Sequence, residues 1–359
     1  MRSENENPFG DLFTYERWQR EEGIPSYGGY YIQDLNALEL KPWPRKEALG
    51  AFINLEGTGN TNDGYVCEIQ PGATLPPQRH MFEELIFVLE GRGSTTVWYE
   101  DGQKRTVQWR RGSLFAVPLN AWHQHANGSP KESARYFAVT SAPLMIQLFH
   151  SREFIFDNPY VFQERFNGQD DFFSTEGKLY PGRVWECNFI PDVASFELME
   201  WKERGAGGGN VMFEIAEGAL IAHISEFPVG TYKKAHRHGP GAHVTIISGS
   251  GYSLMWPENG ERIRIDWQPG SVLVPPNDWF HQHFNTGPTP ARYLALRWGS
   301  KKYRVPLNWE VDTVDRDVRA GGAQIEYEDE DPEIRRMFEA DLAKAGVELR
   351  MPPVTAGQR

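Results

Sequence analysis

Cysteine is nearly absent: Cys67 and Cys187, far apart, are the only two in 359 residues. That excludes a disulfide framework or a thiolate metal site, and both read as small unpaired hydrophobes. No apolar run is long enough to cross a bilayer, and the opening MRSENENPFG has neither the basic stretch nor the apolar core of a secretory signal. A soluble, cytoplasmic protein is the expectation. Positive charge is also scarce, with 37 basic against 49 acidic residues and a net charge of -12. The summed field repels polyanions, so neither nucleic acid nor a membrane is expected as a partner. A small anionic substrate stays open, because a few buried cations or a metal set the local potential. Glycine is dense only in the GAGGG run at 205–209, which no GK[ST] or helix follows. It reads as a flexible lead-in to what comes after it, not as a phosphate loop.

Apolar material is plentiful, with 40% hydrophobic residues, 13% aromatics and 12 Trp. Such a chain folds, and its length exceeds the usual size of one domain. An internal repeat shows where the two units lie. At one constant offset Gly72 meets Gly230, His80 meets His238, Gly91 meets Gly249, Trp98 meets Trp256, Trp109 meets Trp267 and Pro118 meets Pro276. The run His123, Gln124, His125 meets His281, Gln282, His283 without a gap. Within each copy, segments such as STTVWYE, LFAVP and SVLVPP are β-branched or aromatic runs between Gly, Pro, Asn or Asp turns, the pattern of an antiparallel barrel or sandwich. Helical patterns are confined to the edges, at Leu12 to Glu22, Val161 to Phe166 and Pro332 to Lys344. The organisation expected is an N-terminal arm (1–27), a first barrel (28–150), an aromatic-rich inter-barrel segment packing across both (151–200), a second barrel (201–310) and a C-terminal tail with a short helix (311–359).

Residues two apart on a strand share a face, so His236 and His238 project together and His281 can meet them from another strand. Three convergent imidazoles suit Zn, Fe, Cu, Ni or Mn and leave coordination positions open; the alternative is three unrelated core histidines, each needing polar partners. In the first copy His80, Glu84 and His123 form a possible two-histidine, one-carboxylate set, with Gln78 as a weak oxygen donor. A degenerate barrel with polar residues bonded to one another fits these four equally. At the repeat offset Glu84 corresponds to Ala242, so the second set is all-histidine unless His243 turns inward, and strand alternation faces His243 the other way. His283, like His125, shares the inward face and reads as a hydrogen-bond partner or proton shuttle, or as packing. Arg297 is either a partner for a substrate carboxylate or a surface arginine. Trp98 and Trp256 suit either an apolar cavity or an ordinary core.

The repeated unit resembles the cupin family. Its first motif is matched by Gly230, His236, His238 and Gly249 and by Gly72, Gln78, His80, Glu84 and Gly91. Its second is matched by Gly270, Pro276, Asp278, His281 and Asn285 and by Gly112, Pro118, Asn120, His123 and Asn127. The resemblance implies an all-β fold of two tandem cupin jelly-roll barrels with peripheral helical arms. The all-histidine set, with HRH followed by HQH, looks like the gentisate and salicylate dioxygenase group of bicupins, which bind Fe(II) and open aromatic rings with O2. That implies Fe(II) as the first choice of metal, with Mn, Zn or Ni as alternatives, and a small hydroxylated aromatic acid or enolic substrate chelating it. One departure is that the matching site of that group lies in the first barrel. Two further readings stand beside it: a non-redox Zn or Mn isomerase or aminohydrolase centred on the first barrel, and a binding or storage protein without turnover. Association into a homodimer or larger oligomer is expected from the long arms and exposed sheet edges.

Overall fold

The computed structural model describes residues 13–100, 102–306 and 314–352. Each half of the chain pairs a large sheet with a three-stranded one. In the first half an eight-stranded sheet, with Glu84–Glu90 between Ala134–Thr140 and Leu114–Val117, accompanies the strands Trp122–Asn127, Arg92–Trp98 and Arg105–Arg110. In the second half a nine-stranded sheet, with His243–Ser248 between Ala291–Trp298 and Val272–Leu273, accompanies Phe280–Asn285, Gly251–Trp256 and Ile263–Trp267. The fold is all-β with helices at its periphery. Burial explains the strand sequences: Arg92–Trp98 alternates buried and open residues, whereas Glu84–Glu90 is covered on both faces and is apolar almost throughout.

The repeat is carried into the register. His123 lies opposite Val97 and His281 opposite Met255 in the small sheets, and Gln78 bridges to His123 as His236 does to His281. The halves are also interleaved. Tyr31–Ile32 adds to the second sheet beside Val272–Leu273, while Phe189–Ile190 joins the first beside Leu114–Val117. The strands Lys178–Tyr180 and Val184–Glu186 extend the second sheet, the latter parallel to Gly209–Glu214. One continuous core runs through both halves, from Leu85 and Phe137 to Phe213 and Leu296. At their junction a Cβ on Gly57 would lie 2.2 Å from the Val274 carbonyl oxygen, so only glycine allows that approach. The Glu83 carboxylate crosses the same junction, accepting from the backbone N–H groups of Ala219 and Leu220 at 2.9 and 2.8 Å and from Arg165 at 2.8 Å.

Helix α1 (Thr14–Glu22) ends at Gly23 in the left-handed conformation and buries Tyr15 and Trp18 against the first barrel. Helix α2 (Ala142–Phe149) and helix α3 (Arg152–Phe156) lie where no helix is expected from the sequence. Conversely, Val161 to Phe166 forms only a turn, with Phe166 buried between Tyr99 and Phe172. The turn closes with the Phe166 N–H on the Phe162 carbonyl at 3.1 Å, and the next donor, the Asn167 N–H, goes instead to Gln169 Oε1 at 3.0 Å. Helix α4 (Pro332–Ala345) has Asp331 capping the Glu333 N–H, and sets Ile334, Phe338 and Leu342 against Tyr232 and Phe284. The GAGGG run is not a loose lead-in: Gly205 and Gly208 close backbone hydrogen bonds, Ala206 is buried, and Gly209 already begins a strand. No helix among the described residues is long and apolar enough to cross a membrane.

Candidate metal centre

His236 and His281 exchange both backbone hydrogen bonds, at 3.1 and 2.8 Å, an isolated bridge that ties the irregular segment around His236 to the strand Phe280–Asn285. His238, two residues on, projects to the same side. Ring centroids lie 4.1 Å apart for His236 and His281, 4.8 Å for His238 and His281, and 5.7 Å for His236 and His238. Each ring has its Nδ1 against a backbone carbonyl: Lys234 at 3.4 Å, Gly239 at 2.8 Å and Trp279 at 3.2 Å. A carbonyl only accepts, so each Nδ1 carries the proton and each Nε2 presents a bare lone pair. One ligand atom from each residue lies within 4.8 Å of the others. Burial, reinforced by Arg204 and the neighbouring histidines, holds His236 well below the usual imidazole range, and burial with His238 does the same for His281. Burial beside Arg297 pushes His238 down to about 4. The trio is therefore neutral at physiological pH, the state in which imidazole binds a metal, and the donor set fits a divalent cation.

His283 is held in the opposite tautomer. Trp267 Nε1 donates to Ser253 Oγ at 3.0 Å, and Ser253 passes its own proton to His283 Nδ1 at 2.7 Å. The proton of His283 is thus on Nε2, and the ring lines the same cavity as the trio. The first barrel repeats the relay with Trp109, Thr95 and His125 at 2.9 and 2.7 Å. His243 stays out of the trio, its ring packed 5.9 Å from Phe137 of the first barrel. Ala242 lines the cavity in the place of a carboxylate.

That cavity has a volume of about 100 Å³. Arg297 is not a surface residue: it lines the cavity, donates from Nε to His223 Nδ1 at 3.2 Å, and is pushed down to about 10 by burial. Three polar groups are among the lining residues that sequence reasoning missed. Trp201 and Arg204 come from the approach to the second barrel and Asp315 from the tail; Asp315 accepts from Arg204 at 2.7 Å and from Trp201 Nε1 at 3.1 Å. A lone tryptophan and arginine in WKERG offered no periodicity to mark them. Trp98 and Trp256 do not line the cavity; Trp256 packs on Phe280 toward α4.

In the first barrel His80, Glu84 and His123 also place ligand atoms within 4.8 Å of one another. His80 Nε2 meets Glu84 at 2.8 Å, and its Nδ1 faces the Phe82 carbonyl at 2.8 Å. His123 bonds the Ala121 carbonyl through Nδ1, and its buried Nε2 has no partner, an orphan that a cation between the three would satisfy. Burial alone would raise Glu84, but the His80 hydrogen bond and the Lys46 cation hold it well below the usual carboxylate range. Gln78 lines the same space, with Lys46 and Tyr65, which bonds Glu84 directly. Its volume is only about 10 Å³, room for one water at most.

A family profile described as "Cupin domain" matches residues 65–140. Over 133 residues the chain is 31% identical to 5-aminosalicylate 1,2-dioxygenase of Comamonas sp., covering 31% of this chain and 34% of that protein. Over 123 residues it is 25% identical to auxin-binding protein 4 of Zea mays, covering 31% and 58% respectively. The match thus spans about a third of the dioxygenase and somewhat over half of the auxin-binding protein. Among solved structures, a mutant of Bacillus subtilis oxalate decarboxylase superposes with a TM-score of 0.50 at 13% identity, covering 85% of this chain and 88% of that one. A further oxalate decarboxylase structure gives 0.50 at 14% identity over 78% and 79%. At such identities the likeness concerns the fold.

Proposed function

We propose that this chain, a bicupin of the cupin superfamily, is a metal-dependent enzyme whose reactive centre is the second barrel, and that it acts as a dioxygenase on a small chelating acid or enol. One observation carries the reading: three buried imidazoles, each with Nδ1 against a backbone carbonyl, bring one ligand nitrogen apiece within 4.8 Å of the others, beside a cavity that has room for a ligand and is lined by cations. The similarity to a 1,2-dioxygenase supports the reaction class.

His236, His238 and His281 would hold the metal, and their carbonyl partners fix the rings so that no reorientation is needed on binding. A divalent metal there supplies Lewis-acid polarisation of a chelating substrate and, where it is iron, electrons for O2. Fe(II) fits a three-histidine set; Mn, Zn and Ni fit it as well, and oxalate decarboxylase of Bacillus subtilis has Mn(II) centres. His283 offers Nε2–H as a hydrogen-bond donor to substrate oxygen, and Ser253 prevents it from accepting at that nitrogen. This makes His283 a fixed donor more readily than a proton shuttle. Arg297, in the cavity wall, would add positive charge facing a substrate anion.

The competing Lewis-acid reading, centred on His80, Glu84, His123 and Gln78, loses support from the closed first cavity. A metal could be held there, but a substrate has no room beside it. Metal analysis and oxygen uptake test the proposal together. One metal per chain lost on His281→Ala and kept on His123→Ala, with O2 consumed in the presence of a substrate panel, is the expected result. Metal lost only on His80→Ala or Glu84→Ala would move the function to the first barrel. The expected homodimer or larger assembly is read in the same preparation by sedimentation velocity.

A further inference from the structure

We infer that the second cavity takes a short acyclic carboxylate, a dicarboxylate or oxo acid, in preference to an aromatic acid, and that Arg204 grips its carboxylate. The inference rests on the second barrel as the metal centre and narrows its substrate.

Size argues first. The cavity holds about 100 Å³, part of which a metal would take, whereas uptake of a bare benzene ring is known from a cavity of about 150 Å³. A ring carrying carboxylate and hydroxyl groups is larger still. Charge argues next: Arg183, Arg204, Arg297 and Lys301 line the space against the single carboxylate of Asp315. Three neutral histidines contribute nothing to balance them, and a bound metal adds to the excess. A ligand must bring the negative charge.

Arg204 shows where that charge belongs. Its side chain is only 2% exposed and stacks over Trp201, with its Cζ 4.7 Å from the ring centroid. One terminal nitrogen is committed to Asp315, but Nε and Nη1 have no acceptor among the described residues. Arg79, Arg183, Arg237 and Arg262 each leave only a buried Nε without a hydrogen-bond partner, whereas Arg204 is the arginine among the described residues with two such donors, and their desolvation is otherwise uncompensated. Asp315 and Trp201 fix the plane of the group and leave Nε–H and Nη1–H, which point along different edges of it, to donate to anionic oxygens. Arg183 and exposed Lys301 sit toward the mouth and draw anions in. The acid would span from Arg204 to the metal position, so that a carboxylate and a second oxygen at the other end are both required.

The test uses the full chain loaded with Zn(II), which is redox-inert, so that binding is read without turnover. Malonate, acetoacetate and 2-oxobutanoate are titrated calorimetrically beside salicylate and gentisate. At least one acyclic acid should bind tenfold or more tighter than either aromatic acid. Arg204→Lys should weaken that binding at least tenfold while zinc content and melting temperature stay as in the parent. If the lysine variant fails to fold, Arg204→Gln combined with Asp315→Asn, a neutral pair of similar shape, replaces it, and the same loss is expected. Equal or tighter binding of salicylate or gentisate, undiminished binding by the variant, or no binding of any acid overturns the inference. Those failures leave zinc on the three histidines and so leave the metal reading standing. Should the second barrel hold no zinc, that reading fails instead. Thermal shift of the metal-free chain by the same acids, abolished in the Arg204 variant, then still decides whether Arg204 is an anion site.

Discussion

Replacing Ser253 with alanine should cost about 2 to 6 kcal/mol of folding stability. Ser253 is fully buried and links two groups, accepting from Trp267 Nε1 at 3.0 Å and donating to His283 Nδ1 at 2.7 Å. Alanine leaves both without a partner, and each buried orphan costs about 1 to 3 kcal/mol. The void created is one oxygen in size, below the roughly 10 to 15 Å³ that a replacement water occupies, so solvent cannot repair it. The molecule supplies its own control. Thr95 does the same work in the first barrel, between Trp109 and His125, so Ser253→Thr should keep the relay and lose far less than alanine. Guanidinium denaturation at constant slope reads the stability difference, and nitrogen NMR of the imidazoles reads the tautomer, with the Nε2–H form of His283 expected to lose its dominance in the alanine variant. An alanine variant within about 1 kcal/mol of the parent, or a threonine variant as damaged as the alanine one, would refute the relay as the device that sets His283.

Two other perturbations test the frame around the site. Glu83→Ala removes the acceptor shared by Arg165, Ala219 N–H and Leu220 N–H at the junction of the halves; a loss of about 2 to 4 kcal/mol is expected by denaturation, with Glu83→Gln intermediate. Asp63 is 1% exposed, its Oδ1 has no partner, and burial holds its carboxyl well above the usual range despite the Gly64 N–H. A raised folded value means that stability is fullest below the unfolded value of about 3.9 and falls as pH rises through the folded one. Asp63→Asn should therefore match the parent at low pH and melt above it toward neutrality; a gap that does not grow with pH contradicts this.

The histidine trio was legible from the repeat and the motif spacing, although the strand expected to carry His236 and His238 is only an isolated bridge at His236; the positive φ at Asp278 and Asn120, just before each second-motif histidine, is visible only in the structure. Alternation also placed His243 outward correctly. Helix α4 was readable from its Asp, Pro and Lys signals. The Arg204 cluster was not, since Trp201, Arg204 and Asp315 have no shared spacing and meet only when the tail folds back over the second barrel. Helices α2 and α3 were missed because SAPLMIQLF, with a proline at its start and few polar residues, reads locally as another apolar strand. The exchange of Tyr31–Ile32 into the second sheet was equally invisible: a two-residue strand carries no period.

The two barrels, built on one pattern, balance charge in opposite ways, and among the inward positions of the repeat they differ at Glu84 and Ala242 and at Gln78 and His236. In the first, Glu84 is countered from within by Lys46, whose Nζ bonds Tyr65 Oη at 3.1 Å, and Tyr65 bonds the carboxylate in turn. Tyr15, Trp18 and Trp43 from the N-terminal segment line what space is left. That interior is nearly full, and its carboxylate is answered from within, though His123 Nε2 still lacks a partner. In the second, Ala242 stands where the carboxylate would be, which both opens volume and removes the anion that Arg204 and Arg297 would otherwise meet. Exchanging Gln78 and Glu84 for His236 and Ala242 thus changes more than a ligand set. It converts a closed, self-neutralised barrel into a cationic cavity that is complete only when something anionic enters it.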